Sequence, residues 1–179
     1  MRRRGRLTAA LAAGAAMLAV PAFAAEAEKQ VPAAFRTCVD KFAASMHGRP
    51  NPPTFACTAR YMASLPQGLG GTAVELKVRS QAIEAADLYL EQELLPAIEQ
   101  RLKRDVDSRG DYRMGQVRLL EAATGAARLY DATFCDWVED AIGPGTYRAI
   151  AASDCRIRNR DRLIADFLWA RQEITQGVE

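Results

Sequence analysis

Apolar residues recur at threes and fours along most of this chain, and no sustained stretch of β-branched residues alternates in the period-two manner of a strand. The pattern predicts helices. A first helix spans about Ala33 to Met46 and stops at Gly48-Arg49-Pro50-Asn51-Pro52-Pro53, whose prolines and glycine cannot continue it. A short second helix, about Phe55 to Ser64, ends before Pro66-Gln67-Gly68-Leu69-Gly70-Gly71. Thr72 followed by Glu75 has the spacing of a capping box and opens the longest pattern, in which Ala82, Ile83, Ala86, Leu90, Leu94, Ile98 and Leu102 line one stripe. Pro96 removes a backbone donor inside that pattern and predicts a kink near Gln92 to Leu95. Ser108-Arg109-Gly110 predicts the next stop. Beyond it Met114, Val117, Leu120, Ala123, Ala127, Tyr130 and Phe134 form a second stripe, running to about Ala141. Gly143-Pro144-Gly145 turns the chain, and Thr146 caps a last helix carrying Ile150, Ile157, Ile164 and Leu168. The expected fold class is all-α, built of antiparallel helical hairpins.

The head of the chain has a different character. Arg2, Arg3, Arg4 and Arg6 precede an apolar run from Leu7 to Val20, and Ala22-Phe23-Ala24 has the small-x-small form of a secretory cleavage site. Residues 1–24 therefore read as a signal peptide, and residues 25–179 as a single helical domain. The apolar run is too short to span a bilayer, nothing later is apolar enough to anchor the protein, and the first cysteine, Cys38, is too distant to carry a lipid. The expected location is periplasmic or secreted, with no stable membrane anchor. Four arginines leave with the signal peptide, so 24 basic residues become 20 against 22 acidic ones, a formal charge of −2. A chain of that charge has no general attraction to nucleic acid or anionic lipid.

Cys38, Cys57, Cys135 and Cys155 all remain in the exported chain, where even numbers of cysteines pair. No spacing fits a C-x-x-C redox or zinc site and the sole histidine is His47, so neither a metal nor another cofactor is expected. Cys135 lies nine residues before Pro144 and Cys155 eleven after it, which puts both at nearly the same height on two antiparallel helices. They form the expected staple of the last hairpin. Cys38 with Cys57 follows by elimination.

Candidate chemistry changes this picture little. His47 precedes a helix-ending glycine, where an imidazole favours the last carbonyls, and no nucleophile or orienting acid can be matched to it. Arg109-Gly110-Asp111 reads as a helix stop and an N-cap acid. Arg156, Arg158, Arg160 and Arg162 diverge by about 200° at each step, forming two faces, with Asp154–Arg158 and Arg162–Asp166 as exposed i,i+4 pairs. Glu139 and Asp140 point about 100° apart, the wrong arrangement for a glycosidase pair. Gly68 to Gly71 lacks the lysine of a phosphate-binding loop and follows no strand, so it reads as a linker. Trp137, Tyr147 and Arg148 flank the last turn, and aromatic and arginine side chains together have the composition of an interaction hot spot.

Several of these residues also carry a family likeness. Gly145-Thr146-Tyr147, the nine residues from Thr146 to Cys155, Leu163 and Leu168, Tyr130-Asp131-Ala132 before Cys135, and Ala86-Asp87 with Leu90 leading to Leu94 resemble the LprI-like (DUF1311) family. The resemblance covers about Ala86 to Leu168. It departs where the family carries a glutamine, a tryptophan and an arginine ahead of the third cysteine; Thr124, Ala127 and Asp131 stand here. The likeness implies a small exported helical protein with disulfides, and the family name implies inhibition of a lysozyme.

The expectation drawn from residues and resemblance together is a non-enzymatic binding protein. Its partner would be a protein, a lysozyme or another envelope component, met by Thr146, Tyr147 and Arg148 on the stapled tip, with Trp137 in support. A structural or scaffolding protein of the envelope is the alternative, favoured by an apolar stripe left exposed after core packing.

Overall fold

The computed structural model describes residues 29–46, 54–68, 71–104 and 106–176, the side chains of 106–114 and of 175 and 176 excepted. The signal segment, His47, the proline-rich run to Pro53, and Leu69 and Gly70 lie outside the described residues. Helices account for the described secondary structure: α1 (Ala33–Met46), α2 (Cys57–Ser64), α3 (Gly71–Tyr89), a π-helical turn (Leu90–Leu94), α4 (Leu95–Arg104), α5 (Val106–Ile142) and α6 (Thr146–Gln176).

The stripe expected on the third helix is a core face. Ala82, Ala86, Leu90, Leu94, Ile98 and Leu102 are all buried, and Phe35 and Val39 of α1 and Ile164, Phe167 and Leu168 of α6 close over them. Phe35 is wholly enclosed, with the rings of Tyr61 and Tyr89 each centred 5.9 Å from its own. The irregularity expected before Pro96 is the π turn, in which the Leu95 N–H donates to the Leu90 carbonyl. Proline lacks an N–H and its ring crowds the carbonyl four residues back, here that of Gln92, so one widened turn relieves both problems without ending the helix.

Three long rods set the architecture. Arg79 reaches Asp154 at 3.1 Å and Arg160 reaches Asp87 at 2.5 Å, in the same order along both helices, so α3 and α6 run parallel. Leu95 and Glu99 share a groove with Thr124 and Leu120, and Arg128 pairs with Glu91 at 2.6 Å, which sets α5 antiparallel to the rod of α3 and α4. α5 and α6 form the closing antiparallel hairpin. α1 lies against the first rod, where Arg36 donates to Glu93 at 2.9 Å.

Four expectations need correction. The stop at Ser108-Arg109-Gly110 is absent, because α5 is already helical from Val106 and passes through all three residues and Asp111. An interior glycine costs a helix about 1 kcal/mol and does not forbid it; α4 itself carries Arg101, Lys103 and Arg104 in its last turn, which suit a helix C-terminus. Helix α3 opens at Gly71, so Thr72 sits inside its first turn and Glu75 pairs with Arg79 at 2.8 Å. Asp154 turns to Arg79 rather than to Arg158, because α3 passes within reach of it; Arg162–Asp166 forms as expected at 3.8 Å. The fourth correction is the phase of α5. Val117, Asp131 and Cys135 are its buried positions, whereas Ala123, Tyr130 and Phe134 of the expected stripe face solvent.

Helix α2 is capped from a distance. Its N-cap, Ala56, has no side chain able to bond, and the Asp161 carboxylate of α6 accepts from the Thr58 N–H at 2.8 Å instead. Burial pushes the Asp161 carboxyl above the ordinary aspartate range, and the N–H groups of Thr58 and Ala59 offset that only in part.

Phe35→Ala should cost about 3–5 kcal/mol in urea denaturation, the loss of a buried aromatic side chain, and a cost near zero would remove α1 from the core. Because the folded state holds the Asp161 proton more tightly than the unfolded chain, this group's contribution to stability falls as pH rises from about 4. Asp161→Asn keeps an acceptor for Thr58 and loses that slope. The stability of the variant relative to the native chain should therefore climb between pH 4 and neutrality and then level, and parallel curves would refute the assignment.

Candidate functional site

The last hairpin is assembled rung by rung. α5 ends at Ile142, the Gly143 N–H donates to the Asp140 carbonyl at 3.1 Å, and α6 begins at Thr146. Gly143 and Gly145 take φ values of 83° and 129°, the left-handed region that glycine tolerates, on either side of Pro144. Going away from the tip, Arg148 meets Glu139 at 3.6 Å, Arg156 meets Asp136 at 2.5 Å, and Cys135 is bonded to Cys155 with Cα atoms 5.6 Å apart. Next to the disulfide, the Asn159 amide donates to Asp131 at 3.1 Å. Both expected disulfides are present, the other joining Cys38 to Cys57.

The final rung is an ion triad, half-buried at Asp87 and enclosed at Arg160 and Asp131. Arg160 of α6 bonds Asp87 of α3 and Asp131 of α5, with the Arg160 side chain 14% exposed and that of Asp131 8%. Burial alone would lower the Arg160 pKa, but the two carboxylates more than compensate and hold it above its ordinary value. The guanidinium is permanently charged and satisfied on two sides. It is a structural clamp on three helices, and the arginine run has the two faces expected from sequence: Arg156 and Arg160 meet carboxylates of the bundle, while Arg158 and Arg162 are exposed.

The expected partner-binding residues separate into two surfaces. Thr146 and Arg148 line an open depression of about 490 Å³ at the tip, together with Thr72, Leu76, Glu139 and Pro144. Tyr147, 67% exposed, stands beside it. Trp137 belongs elsewhere: its ring leans on Phe134 at 5.7 Å, and Phe134 stacks on Tyr130 at 5.2 Å with planes 8° apart. These three rings form a ladder on the outer face of α5, continued by exposed Leu119 and Leu129. A groove of about 380 Å³ between α5 and α6, lined by Tyr130, Asp131, Arg160 and Leu163, runs along one edge of the ladder.

Tyr130, Phe134, Leu119 and Leu129 were missed as surface residues because their apolar character suits a core equally well. The available signal was Cys135. A staple to α6 obliges the Cys135 face of α5 to point inward, and Asp131, Thr124 and Val117 lie on that face.

All four cysteines are bonded, and among the described residues no cluster of His, Cys, Asp and Glu has the geometry to hold a metal ion. No helix among them is long and apolar enough to cross a membrane. The two disulfides are compatible with an extracytoplasmic protein. No protein-family model, curated protein or solved structure matches the chain.

Arg160→Met leaves Asp131 buried without its cation and should lower unfolding free energy by about 3–5 kcal/mol. Adding Asp131→Leu to that variant should recover most of the loss, since an apolar pair needs no desolvation. A double variant as unstable as the single one would show that the clamp acts through something other than the buried charge.

Proposed function

We propose that this chain is an exported, non-enzymatic binding protein of the periplasm that occupies the cleft of a lysozyme-type muramidase with its hairpin tip. Thr146, Tyr147 and Arg148 make the contacts; Trp137, expected in support of them, stands instead on the outer face of α5. The observation that carries this reading is a rigid tip with exposed binding groups: the disulfide, the Glu139–Arg148 pair and the Asp136–Arg156 pair lock a turn on which Tyr147 remains open to solvent. A preorganised loop loses little conformational freedom on binding, so its contact energy is retained as affinity. The signal-like head of the chain and the likeness to the LprI-like family supply the compartment and the class of partner.

A second reading, an envelope scaffold, is favoured by a different observation, the exposed aromatic ladder of α5. It places the principal contact on that face and leaves the tip inert.

The two readings part in a cell-wall clearing assay with several lysozymes. The oxidised chain should inhibit saturably, and Tyr147→Ala combined with Arg148→Ala should weaken inhibition by at least about tenfold, the effect of losing a hot spot. Inhibition undiminished in that variant would remove the tip from the site. An absence of inhibition at micromolar excess would reject the muramidase reading for the lysozymes tested.

A further inference from the structure

The outer face of α5 has more order than a chance apolar patch. Between Gly115 and Ala141 an arc of roughly 160° around the helix, at 100° per residue, contains a single charged side chain, Asp140. Leu119, Ala123, Ala126, Tyr130, Thr133 and Trp137 follow one another at spacings of four, three, four, three and four, the repeat of a coiled-coil seam. All six are exposed, Leu119 by 62% and Trp137 by 61%. A soluble helix normally turns such a stripe inward, yet the inward face of α5 is Val117, Thr124, Asp131 and Cys135, fixed there by the disulfide and the Arg160 clamp.

We propose that this seam pairs with the same seam of a second copy of the chain, antiparallel, with the two-fold axis passing between Ala126 and Tyr130. Size complementarity selects that occupant and that direction. In the antiparallel register Leu119 faces the partner's Trp137, Ala123 faces the partner's Thr133, and Ala126 faces the partner's Tyr130, so each layer sets a smaller side chain against a larger one. A parallel pair would oppose Trp137 to itself and Ala126 to itself, leaving layers too wide and too narrow in alternation. Charge selects the same answer. Arg118 and Asp140 flank the seam on one side at nearly equal distances from the axis, so the antiparallel pair brings each Arg118 to the partner's Asp140, whereas a parallel pair would set the two copies of this flank on opposite sides of the interface and leave both charges without that partner. The pairing is independent of the tip's role: it leaves both tips uncovered, at opposite ends of the pair.

Light scattering coupled to size exclusion, run on the purified oxidised chain at tens of micromolar, tests this directly. The native chain should elute at twice the mass of one copy. Ala126→Glu should reduce it to a single copy while the far-ultraviolet circular dichroism stays unchanged, and Tyr147→Ala with Arg148→Ala should leave the doubled mass intact. Arg118→Asp should raise the dissociation constant several-fold, and Asp140→Arg added to it should restore the native value. A native chain of single mass overturns the proposal, leaving the face to a different protein. A doubled mass that survives Ala126→Glu overturns it also, and failure of the charge exchange to restore association overturns the antiparallel register.

Discussion

Everything in this fold is hung on two successive residues of α6. Arg160 reaches into the gap between α3 and α5 and bonds a carboxylate on each, while Asp161, about 100° further round the helix, reaches the opposite way to the open N-terminus of α2. One helix turn thus holds three neighbours, each by a charged group largely removed from water. Such groups contribute little net stability when paired, because desolvation consumes most of the attraction. Their strength lies in direction. A guanidinium with two carboxylate partners fixes the rotation of both helices in a way that alanine-rich surfaces such as Ala82, Ala85 and Ala86 cannot, and a fixed rotation decides which side of α5 meets water.

The legible and illegible parts of the fold divide along that line. Helix α1 matched its expected bounds because a proline-glycine segment follows it, and the stripe from Ala82 to Leu102 matched because its apolar positions have one consistent phase. Cys135–Cys155 could be reached from spacing and a turn, and Cys38–Cys57 by elimination. The rotation of α5 could not be read from hydrophobicity, since that helix has two apolar phases offset by nearly half a turn, one through Val117 and Cys135 and one through Leu119 and Trp137. The expected stripe starts on the inner phase at Val117 and drifts toward the outer one at Tyr130 and Phe134. Tertiary constraint holds the helix to the inner phase, because Cys135 must meet Cys155 and Asp131 must meet Arg160. Gly110 misled for a related reason: a weak local preference for ending a helix yielded to the long-range packing of α5.

The proposed binding surface was half visible in the same way. A glycine-proline-glycine turn between two helices announces a tip, and Thr146, Tyr147 and Arg148 are adjacent to it in sequence, so their exposure there follows from connectivity. The ladder of Tyr130, Phe134 and Trp137 has no such marker. Aromatic residues at helical spacing most often fill a core, and only the three-dimensional arrangement reveals that the core behind α5 is already closed by smaller and more polar groups. Trp137 joins the two surfaces, at the end of the ladder and near the turn.

The order of the cysteines along the chain has a consequence for biogenesis. Each bonds its immediate neighbour in sequence, with separations of 19 and 20 residues, and the two loops neither cross nor enclose one another. In the export proposed above, a chain threaded outward from its N-terminus would present Cys38 and Cys57 to an oxidising compartment before Cys135 has emerged, so the first pair would close before a wrong partner exists. Cys135 and Cys155 would then find only each other. On that route native connectivity follows from the order of arrival, with no isomerase needed to correct it.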